Sequence, residues 1–207
     1  MRQDFTDQEL KNLECGDKLF WSWKPIAGRL GGMLLGIRDS TLEVGLVDQG
    51  QFFQSATIYH RGAKFKFEFI CVYGPADHAR SVDFLGEIEH KISHCPYLVV
   101  VGGDFNLISG SRDKNNANIN WPRLNLFNDC IAWLGLHEIN KSRARFTWTN
   151  RQRNHVTSVL DRFLVSQAWV KFLLASLRMK CSIGSDHTPL APDIGEALFK
   201  RSPRLFL

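Results

Sequence analysis

The sequence lacks most of the features that define secreted, membrane or zinc-ribbon proteins. Its five cysteines are odd in number and far apart, and no Cys-x-x-Cys pair occurs among them. This usage argues against a disulfide framework or a zinc ribbon and favours a reduced, intracellular setting. No apolar run approaches the length of a membrane span, so we expect no membrane partner.

Several signatures of nucleotide-binding and hydrolytic proteins are also missing. The sequence contains no Walker A motif, no Gly-x-Gly-x-x-Gly and no Gly-x-Ser-x-Gly, which argues against P-loop, dinucleotide-binding and serine-hydrolase folds. His90 and His94 are one helical turn apart, but no third ligand is evident, so an exposed helix face is favoured over a metal site. Internal repeats and low-complexity linkers are absent, and we predict one domain over residues 1–207.

What is present indicates a globular chain with a large aromatic core. The chain has 207 residues and is 44% hydrophobic, with 15 Phe and 6 Trp, enough for one domain of ordinary size. The formal net charge of +5 suits a polyanionic partner such as nucleic acid, although many basic proteins bind none.

The hydrophobic pattern predicts many strands and a few helices. Residues 63–73 are the clearest strand: apolar and charged residues alternate at 64–69, and the run then turns apolar on both faces, as in a central strand. Helices are predicted after Asp77, with Val82, Leu85 and Ile88 on one face, and around Pro122. Together these patterns favour an α+β fold of two packed sheets flanked by helices.

The strongest chemical motif, Gly102-Gly103-Asp104-Phe105-Asn106, follows a valine-rich strand. In an extended chain alternate side chains point the same way, so Asp104 and Asn106 are expected to face one pocket. A carboxylate activates water, and an amide donates to a developing oxyanion. The alternative is an ordinary Gly-Gly-Asp turn with Asn as a local cap.

Three further features carry polar chemistry. In Ser185-Asp186-His187, Asp is a hard oxygen ligand suited to Mg²⁺ and His titrates near neutral pH; the alternative is a polar loop. Asp161 lies in an apolar strand, where it either pairs with its neighbour Arg162 or orients a distant histidine. Tyr73 ends the best strand, and the alternative there is a core tyrosine with a satisfied hydroxyl.

Five short motifs, each weak alone, occur in a specific order. They are Val72-Tyr73-Gly74-Pro75, Gly102-Gly103-Asp104-Phe105-Asn106, Phe146-Thr147-Trp148, Leu160-Asp161-Arg162-Phe163 and Ser185-Asp186-His187-Thr188-Pro189. In order and approximate spacing this set resembles the endonuclease/exonuclease/phosphatase family, and most of all the endonuclease domain of plant LINE-type (non-LTR) retrotransposons. The resemblance covers nearly the whole chain.

The resemblance implies a deoxyribonuclease-like four-layer sandwich, with two mainly antiparallel sheets flanked by helices. It implies Mg²⁺-dependent (or Mn²⁺-dependent) cleavage of a phosphodiester that nicks DNA, and a nuclear setting by analogy. The resemblance implies that Asp104 activates water and that Asn106 steadies the pentavalent phosphate. It implies that His187 contacts the scissile phosphate and is oriented by Asp161. By the same resemblance Asp186 binds the metal, Tyr73 contacts phosphate, and Thr147 and Ser185 line the pocket.

A basic loop follows the Phe146-Thr147-Trp148 motif. Arg151 and Arg153 lie between predicted strands and beside aromatic residues, a combination that suits phosphate contact and stacking. By resemblance this hairpin, at residues 150–157, engages DNA. The alternative is a solvated hairpin tip, where arginine is ordinary.

The chain also departs from the family pattern. The family begins with a strand carrying a catalytic Asn and a second ending in a metal-binding Glu. Neither is present, and Glu9 and Glu14 do not match. We therefore expect a domain that lacks its first strands, is truncated at both ends and binds metal weakly. The alternatives are a catalytically inactive module that binds nucleic acid or protein, and a phosphatase or phospholipid phosphodiesterase. The sequence leaves the oligomeric state open.

Overall fold

The computed structural model describes residues 5–14, 16, 18–25, 32–139, 141–142, 146–172, 175–179, 185–188 and 190–194. The helices in these residues are α1 (Asp7–Leu13), α2 (Ser81–Ser93), α3 (Trp121–Trp133) and α4 (Gln167–Phe172). The strands are β1 (Leu19–Lys24), β2 (Met33–Arg38), β3 (Leu42–Gln49), β4 (Phe53–His60), β5 (Phe65–Tyr73), β6 (Leu98–Asp104), β7 (Leu136–Glu138), β8 (Lys141–Ser142), β9 (Trp148–Thr149), β10 (Thr157–Ser158), β11 (Asp161–Ser166), β12 (Ala175–Met179) and β13 (Leu190–Ile194). None of these helices is long and apolar enough to cross a bilayer.

A six-stranded sheet forms the centre of the molecule, in the order β3-β4-β5-β6-β11-β7. Every neighbouring pair is antiparallel except β5 and β6, which run parallel and are connected through α2. Smaller sheets are formed by β1-β2, by β9-β10 and by β13-β12-β8. The predicted α+β fold with a mainly antiparallel sheet is confirmed.

Two hydrophobic clusters lie on the two faces of this sheet. One packs α2 and α3 against β5 and β6 through buried side chains such as Phe84, Phe105 and Phe127. The other packs β2 and Trp169 against the opposite face. The predicted helix face is wrong at Val82, which is 64% exposed, because Phe84 takes the buried position in the first turns of α2.

The predicted alternation along β5 holds only in part. Lys66 is exposed, but Glu68 is 3% exposed and does not lie on a wet face. Its carboxylate accepts a hydrogen bond from Thr57 Oγ1 at 2.8 Å and lies 3.0 Å from Lys91 Nζ of α2. A buried charge requires such partners, so Glu68 connects the sheet to its covering helix.

Candidate active site

The ends of three neighbouring strands place three polar residues side by side. In the parallel β5–β6 pair, Tyr73 is opposite Asp104. In the antiparallel β6–β11 pair, Asp161 is opposite Asp104. Residues that face each other across a ladder lie about 5 Å apart. The register of the central sheet thus sets Tyr73, Asp104 and Asp161 in one row, although the chain separates them by 31 and 57 residues.

Close backbone packing fixes the turn that follows Asp104. Gly74 N donates to Asp104 O at 2.6 Å, and a Cβ at Gly74 would lie 2.1 Å from Phe105 O. Gly103 has a φ of +142°, and a Cβ there would lie 2.2 Å from Val72 O. Both positions therefore require glycine.

Asn106 does not continue the extended chain, so the predicted period-two geometry is wrong at this residue. Its φ is +51°, in the left-handed region that Asn tolerates better than most residues. Asn106 N donates to Asp104 Oδ1 at 2.8 Å, and its Nδ2 donates to Asp104 Oδ2 at 3.1 Å and to Gly74 O at 2.8 Å. These bonds bring the amide and the carboxylate together by a turn.

His187 lies between two aspartates of this row. Its Nδ1 is 2.9 Å from Asp161 Oδ2, and its Nε2 is 3.9 Å from Asp104 Oδ2. The segment is held by an isolated β-bridge between His187 and Trp148 and by Thr188 N, which donates to Thr147 O at 2.7 Å. An Asp on Nδ1 fixes the ring's orientation and leaves Nε2 facing the pocket.

Arg162 points away from this pocket. Its guanidinium is 1% exposed and lies 2.6 Å from Glu138 Oε2 and 2.5 Å from Asp113 Oδ2. The alternative in which Asp161 pairs with its neighbour Arg162 is therefore wrong. Successive side chains of β11 point to opposite faces, so Arg162 joins the structural network and Asp161 faces His187.

Thr147 supports the site from beneath. Its side chain is fully buried, and Oγ1 accepts hydrogen bonds from Leu160 N at 2.9 Å and from Asp161 N at 3.0 Å. These bonds fix the start of β11, where the Asp161 carboxylate emerges. The structure therefore places Thr147 behind Asp161.

Thr147→Val is expected to lower the free energy of unfolding by about 2 kcal/mol, because two buried N–H groups lose their acceptor. We also expect weaker alignment of Asp161. The matched control is Thr149→Val, since Thr149 Oγ1 accepts its hydrogen bond from Arg151 N in an exposed hairpin. Urea denaturation of both variants measures the difference, and equal stabilities would remove Thr147 from this role.

Asp186 and Ser185 lie at the rim of the pocket. Asp186 Oδ2 accepts a hydrogen bond from Trp148 Nε1 at 3.1 Å, and Asp186 O accepts one from Thr149 N at 3.1 Å. Ser185 Oγ accepts from His187 N at 3.1 Å, and Ser185 O accepts from an Arg151 guanidinium N–H. Arg151 is thus joined to the site loop, whereas Arg153 lies on the exposed part of the hairpin.

Burial, hydrogen bonds and nearby carboxylates together set the protonation of the site. Burial raises the pKa of Asp104 to about 6, the backbone N–H of Asn106 opposes this, and the charges of Asp161 and Asp186 add to it. The hydrogen bond that Asp161 accepts from His187 Nδ1 raises the pKa of His187 against the effect of burial. Burial, then the charges of Asp104 and Asp186, raise the pKa of Tyr73. At neutral pH the pocket therefore holds an ionised Asp104, a readily protonated His187 and a neutral tyrosine hydroxyl.

The residues described do not fit a complete Mg²⁺ site. Among them no three His, Cys, Asp or Glu side chains converge as metal ligands. Glu9 belongs to the capping box of α1, and Glu14 accepts from Trp21 Nε1 at 3.2 Å, so neither acid faces the pocket. Asp186, the one metal ligand predicted from the sequence, has one carboxylate oxygen engaged by Trp148.

Comparison with known proteins matches this chain to one family. The model described as the Endonuclease/Exonuclease/phosphatase family matches residues 3–187, and the chain belongs to this family. No curated protein sequence matches the chain significantly.

Among solved structures, the chain is similar to the endonuclease domain of TRAS1, a telomere-specific non-LTR retrotransposon. The TM-score is 0.67 and the identity 18%, over 86% of this chain and 80% of that one. AP endonuclease LMAP from Leishmania major gives 0.66 and 14%, over 88% and 73%. The mannosyl-6-phosphatase Bt3783 from Bacteroides thetaiotaomicron gives 0.56 and 14%, over 91% and 81%. These likenesses establish the fold.

Sequence reasoning missed one cation beside the site. Arg123, in the first turn of α3, donates through Nη2 to Asn106 O at 3.4 Å and through Nε to Ser81 Oγ at 3.0 Å. No motif includes this arginine, and its nearest signal was the neighbouring Pro122, which indicates only a helix start. Its position depends on how α3 packs beside the loop after β6.

Proposed function

We propose that this chain is an endonuclease-type phosphodiester hydrolase that nicks DNA. The observation that carries the proposal is the position of His187, hydrogen-bonded by Asp161 at Nδ1 and facing Asp104 through Nε2. A base, an oriented imidazole and a neighbouring amide suit attack of water on a phosphate. Family membership supports hydrolysis of a phosphate ester, and the motif set favours a retrotransposon-derived nuclease.

In the proposed reaction, ionised Asp104 takes a proton from water as the water oxygen forms a bond to phosphorus. Protonated His187 donates a hydrogen bond to a non-bridging phosphate oxygen, and the neutral Tyr73 hydroxyl donates to another. The Asn106 amide steadies the developing negative charge. The P–O bond to the leaving sugar oxygen breaks, and solvent supplies the proton that this oxygen takes up.

DNA is the proposed substrate because a basic side chain lies beside the pocket and the chain as a whole is basic. Arg151 donates to the Ser185 carbonyl in the loop that carries His187, and the whole chain has a formal net charge of +5. Basic side chains beside a phosphate site contribute affinity that falls with salt. A DNA substrate implies action in the nucleus, which is part of the same proposal.

Dependence on Mg²⁺ or Mn²⁺ is also proposed and follows from the family resemblance. An added cation would neutralise charge on the phosphate when bound. Because the described residues supply no set of three ligands, we expect weak binding. The assay is conversion of supercoiled plasmid to open circles while Mg²⁺ is titrated, with EDTA as the blank. Full nicking in EDTA would contradict the metal dependence.

A catalytically inactive nucleic-acid-binding module is the second candidate. The lack of three converging ligands among the described residues favours it. This alternative predicts salt-sensitive DNA binding without any nicking at any Mg²⁺ concentration, weakened when Arg151 and Arg153 are neutralised. Nicking that Asp104→Asn abolishes would exclude it.

The proposed roles predict a bell-shaped pH dependence of nicking. The rate rises with pH through about 6 as Asp104 ionises. It falls again above the pKa of His187, which lies above its usual value because Asp161 binds Nδ1. Asp161→Asn should move the falling limb to lower pH, since the imidazolium loses its main stabilising partner. Initial rates from about pH 5 to about pH 9 measure both limbs; an unchanged falling limb would contradict the role of Asp161.

A further inference from the structure

A cavity of about 500 Å³ opens beside the candidate active site. It shares Asn106 and Trp148 with that site, so anything bound in it would lie next to a substrate held by Asp104 and His187. Leu107, Leu124 and Leu160 form part of an apolar wall. The remaining wall carries two cations, an imidazole and two amides, contributed by Lys114, Arg123, His78, Asn118 and Asn120.

The two permanent cations of this cavity are held in place. Arg123 Nε donates to Ser81 Oγ at 3.0 Å, and its Nη2 donates to Asn106 O at 3.4 Å. Lys114 Nζ donates to Asn118 O at 2.8 Å. These neutral acceptors orient the cations without cancelling their charge. Further N–H groups remain on both side chains, since a guanidinium has five donors and an ammonium three.

The cavity carries net positive charge. Within the described part of the chain, no carboxylate lies within 4.0 Å of the Arg123 or Lys114 cations. The pKa of His78 is lowered by burial and then by the charge of Arg123, with Lys114 adding and Asp77 opposing. His78 therefore stays neutral and supplies a hydrogen-bonding nitrogen. The charge of Asp77 also acts on Arg123, where it raises the pKa against the effect of burial. A neutral imidazole beside two cations, neither of them in a contact ion pair with a described carboxylate, is an arrangement that suits an anion.

We propose that this cavity binds a second phosphate of the DNA strand, the one next to the scissile phosphodiester, through Arg123 and Lys114. The inference rests on the proposed function for the choice of DNA. Arginine binds phosphate through a planar fork and lysine as a point charge. Arg123 also donates a hydrogen bond to the carbonyl of Asn106, in the turn that follows Asp104. The side chain that binds the neighbouring phosphate is therefore in direct contact with the proposed active site.

The test measures binding of a fluorescein-labelled eight-nucleotide oligothymidylate by anisotropy, in EDTA, over a series of NaCl concentrations. Arg123→Gln and Lys114→Gln are each expected to weaken binding by about 3- to 10-fold and to reduce the salt slope by about 0.7, as one phosphate contact to a single strand does. Arg112→Gln, an exposed cation of the same loop outside the cavity, is the matched control and should bind as the parent protein does. Arg123→Lys keeps the charge and should retain most of the affinity.

The outcomes separate this inference from the proposed activity. Binding that depends on Arg123 and Lys114 in a protein that never nicks DNA supports the cavity and overturns the hydrolase. Nicking by a protein whose Arg123→Gln and Lys114→Gln variants bind like Arg112→Gln supports the hydrolase and overturns the cavity. Absence of oligonucleotide binding by the parent protein also overturns the cavity. So does an Arg123→Lys variant that binds as poorly as Arg123→Gln while Lys114→Gln binds normally, because the arginine would then act only through the fold.

Discussion

His187→Ala is expected to lower the rate of plasmid nicking by about 10²- to 10³-fold, the usual cost of removing one positioned hydrogen-bond donor to a developing negative charge. The ring is fixed by Asp161 at 2.9 Å and faces Asp104, so alanine removes both the donor to the phosphate and the group that balances Asp104. Initial rates at saturating Mg²⁺ measure the effect. His137→Ala, on an exposed position of β7, is the matched control and should nick at the parent rate.

Asp104→Asn should lose activity to a similar extent while the protein stays folded. A carboxyl whose folded pKa is raised binds protons more tightly in the folded chain, so its ionisation disfavours folding above about pH 6. The neutral amide removes that penalty, and its oxygen still accepts from Asn106 N. The substitution loses the second bond, which Asn106 Nδ2 donates to the carboxylate, and the charge that faces His187 Nε2 at 3.9 Å. We expect an unchanged or higher melting temperature at neutral pH; a large drop would mean that lost activity reflects unfolding.

Arg162→Met is expected to lower the free energy of unfolding by about 3 kcal/mol, the lower end of the cost of breaking a buried ion pair. The guanidinium is 1% exposed and forms ion pairs with both Asp113 and Glu138, whose side chains are partly exposed. Without it two carboxylates remain close together at the edge of the core. Because β11 carries Asp161, the site should loosen with the strand. Urea denaturation measures the change.

A compensated variant separates charge from packing in this network. Arg162→Met combined with Asp113→Asn and Glu138→Gln removes all three charges and should recover much of the lost stability. The amide introduced by Asp113→Asn keeps an oxygen for the N–H groups of Ser109 and Gly110 that Asp113 now binds. A loss below about 1 kcal/mol for the single variant, the range of a surface pair, would contradict the buried network.

The sequence predicted much of the central sheet because its strands have clear patterns. The run at 63–73 became β5, and the valine-rich run before Gly102 became β6. Local patterns failed to predict burial where contacts between distant elements determine which side chains are buried. Glu68 reads as exposed by alternation, yet Thr57 and Lys91 let it be buried. Val82 has helical spacing, yet Phe84 fills the core.

The candidate site was predictable as a set of motifs but not as a geometry. Asp161 and His187 are 26 residues apart, and nothing in either motif states which of Arg162 or His187 the aspartate meets. Strand register and side-chain alternation decide that question. Asn106 reaches Asp104 because its backbone turns back with a positive φ, and not because alternate residues of an extended strand face the same side. Arg123 contacts the same turn from α3, whose sequence carries no motif for this role. Roles of the site residues, and the single-domain boundaries, stay predictions.

The most direct test of hydrolysis at this site compares the parent protein with Asp104→Asn on supercoiled plasmid, at equal concentration and with Mg²⁺. Thermal melting of both samples shows that each is folded. We predict that the parent protein converts the plasmid to open circles and that Asp104→Asn does not. Equal nicking by the two proteins, or no nicking by the parent protein at any Mg²⁺ concentration, would contradict hydrolysis at this site.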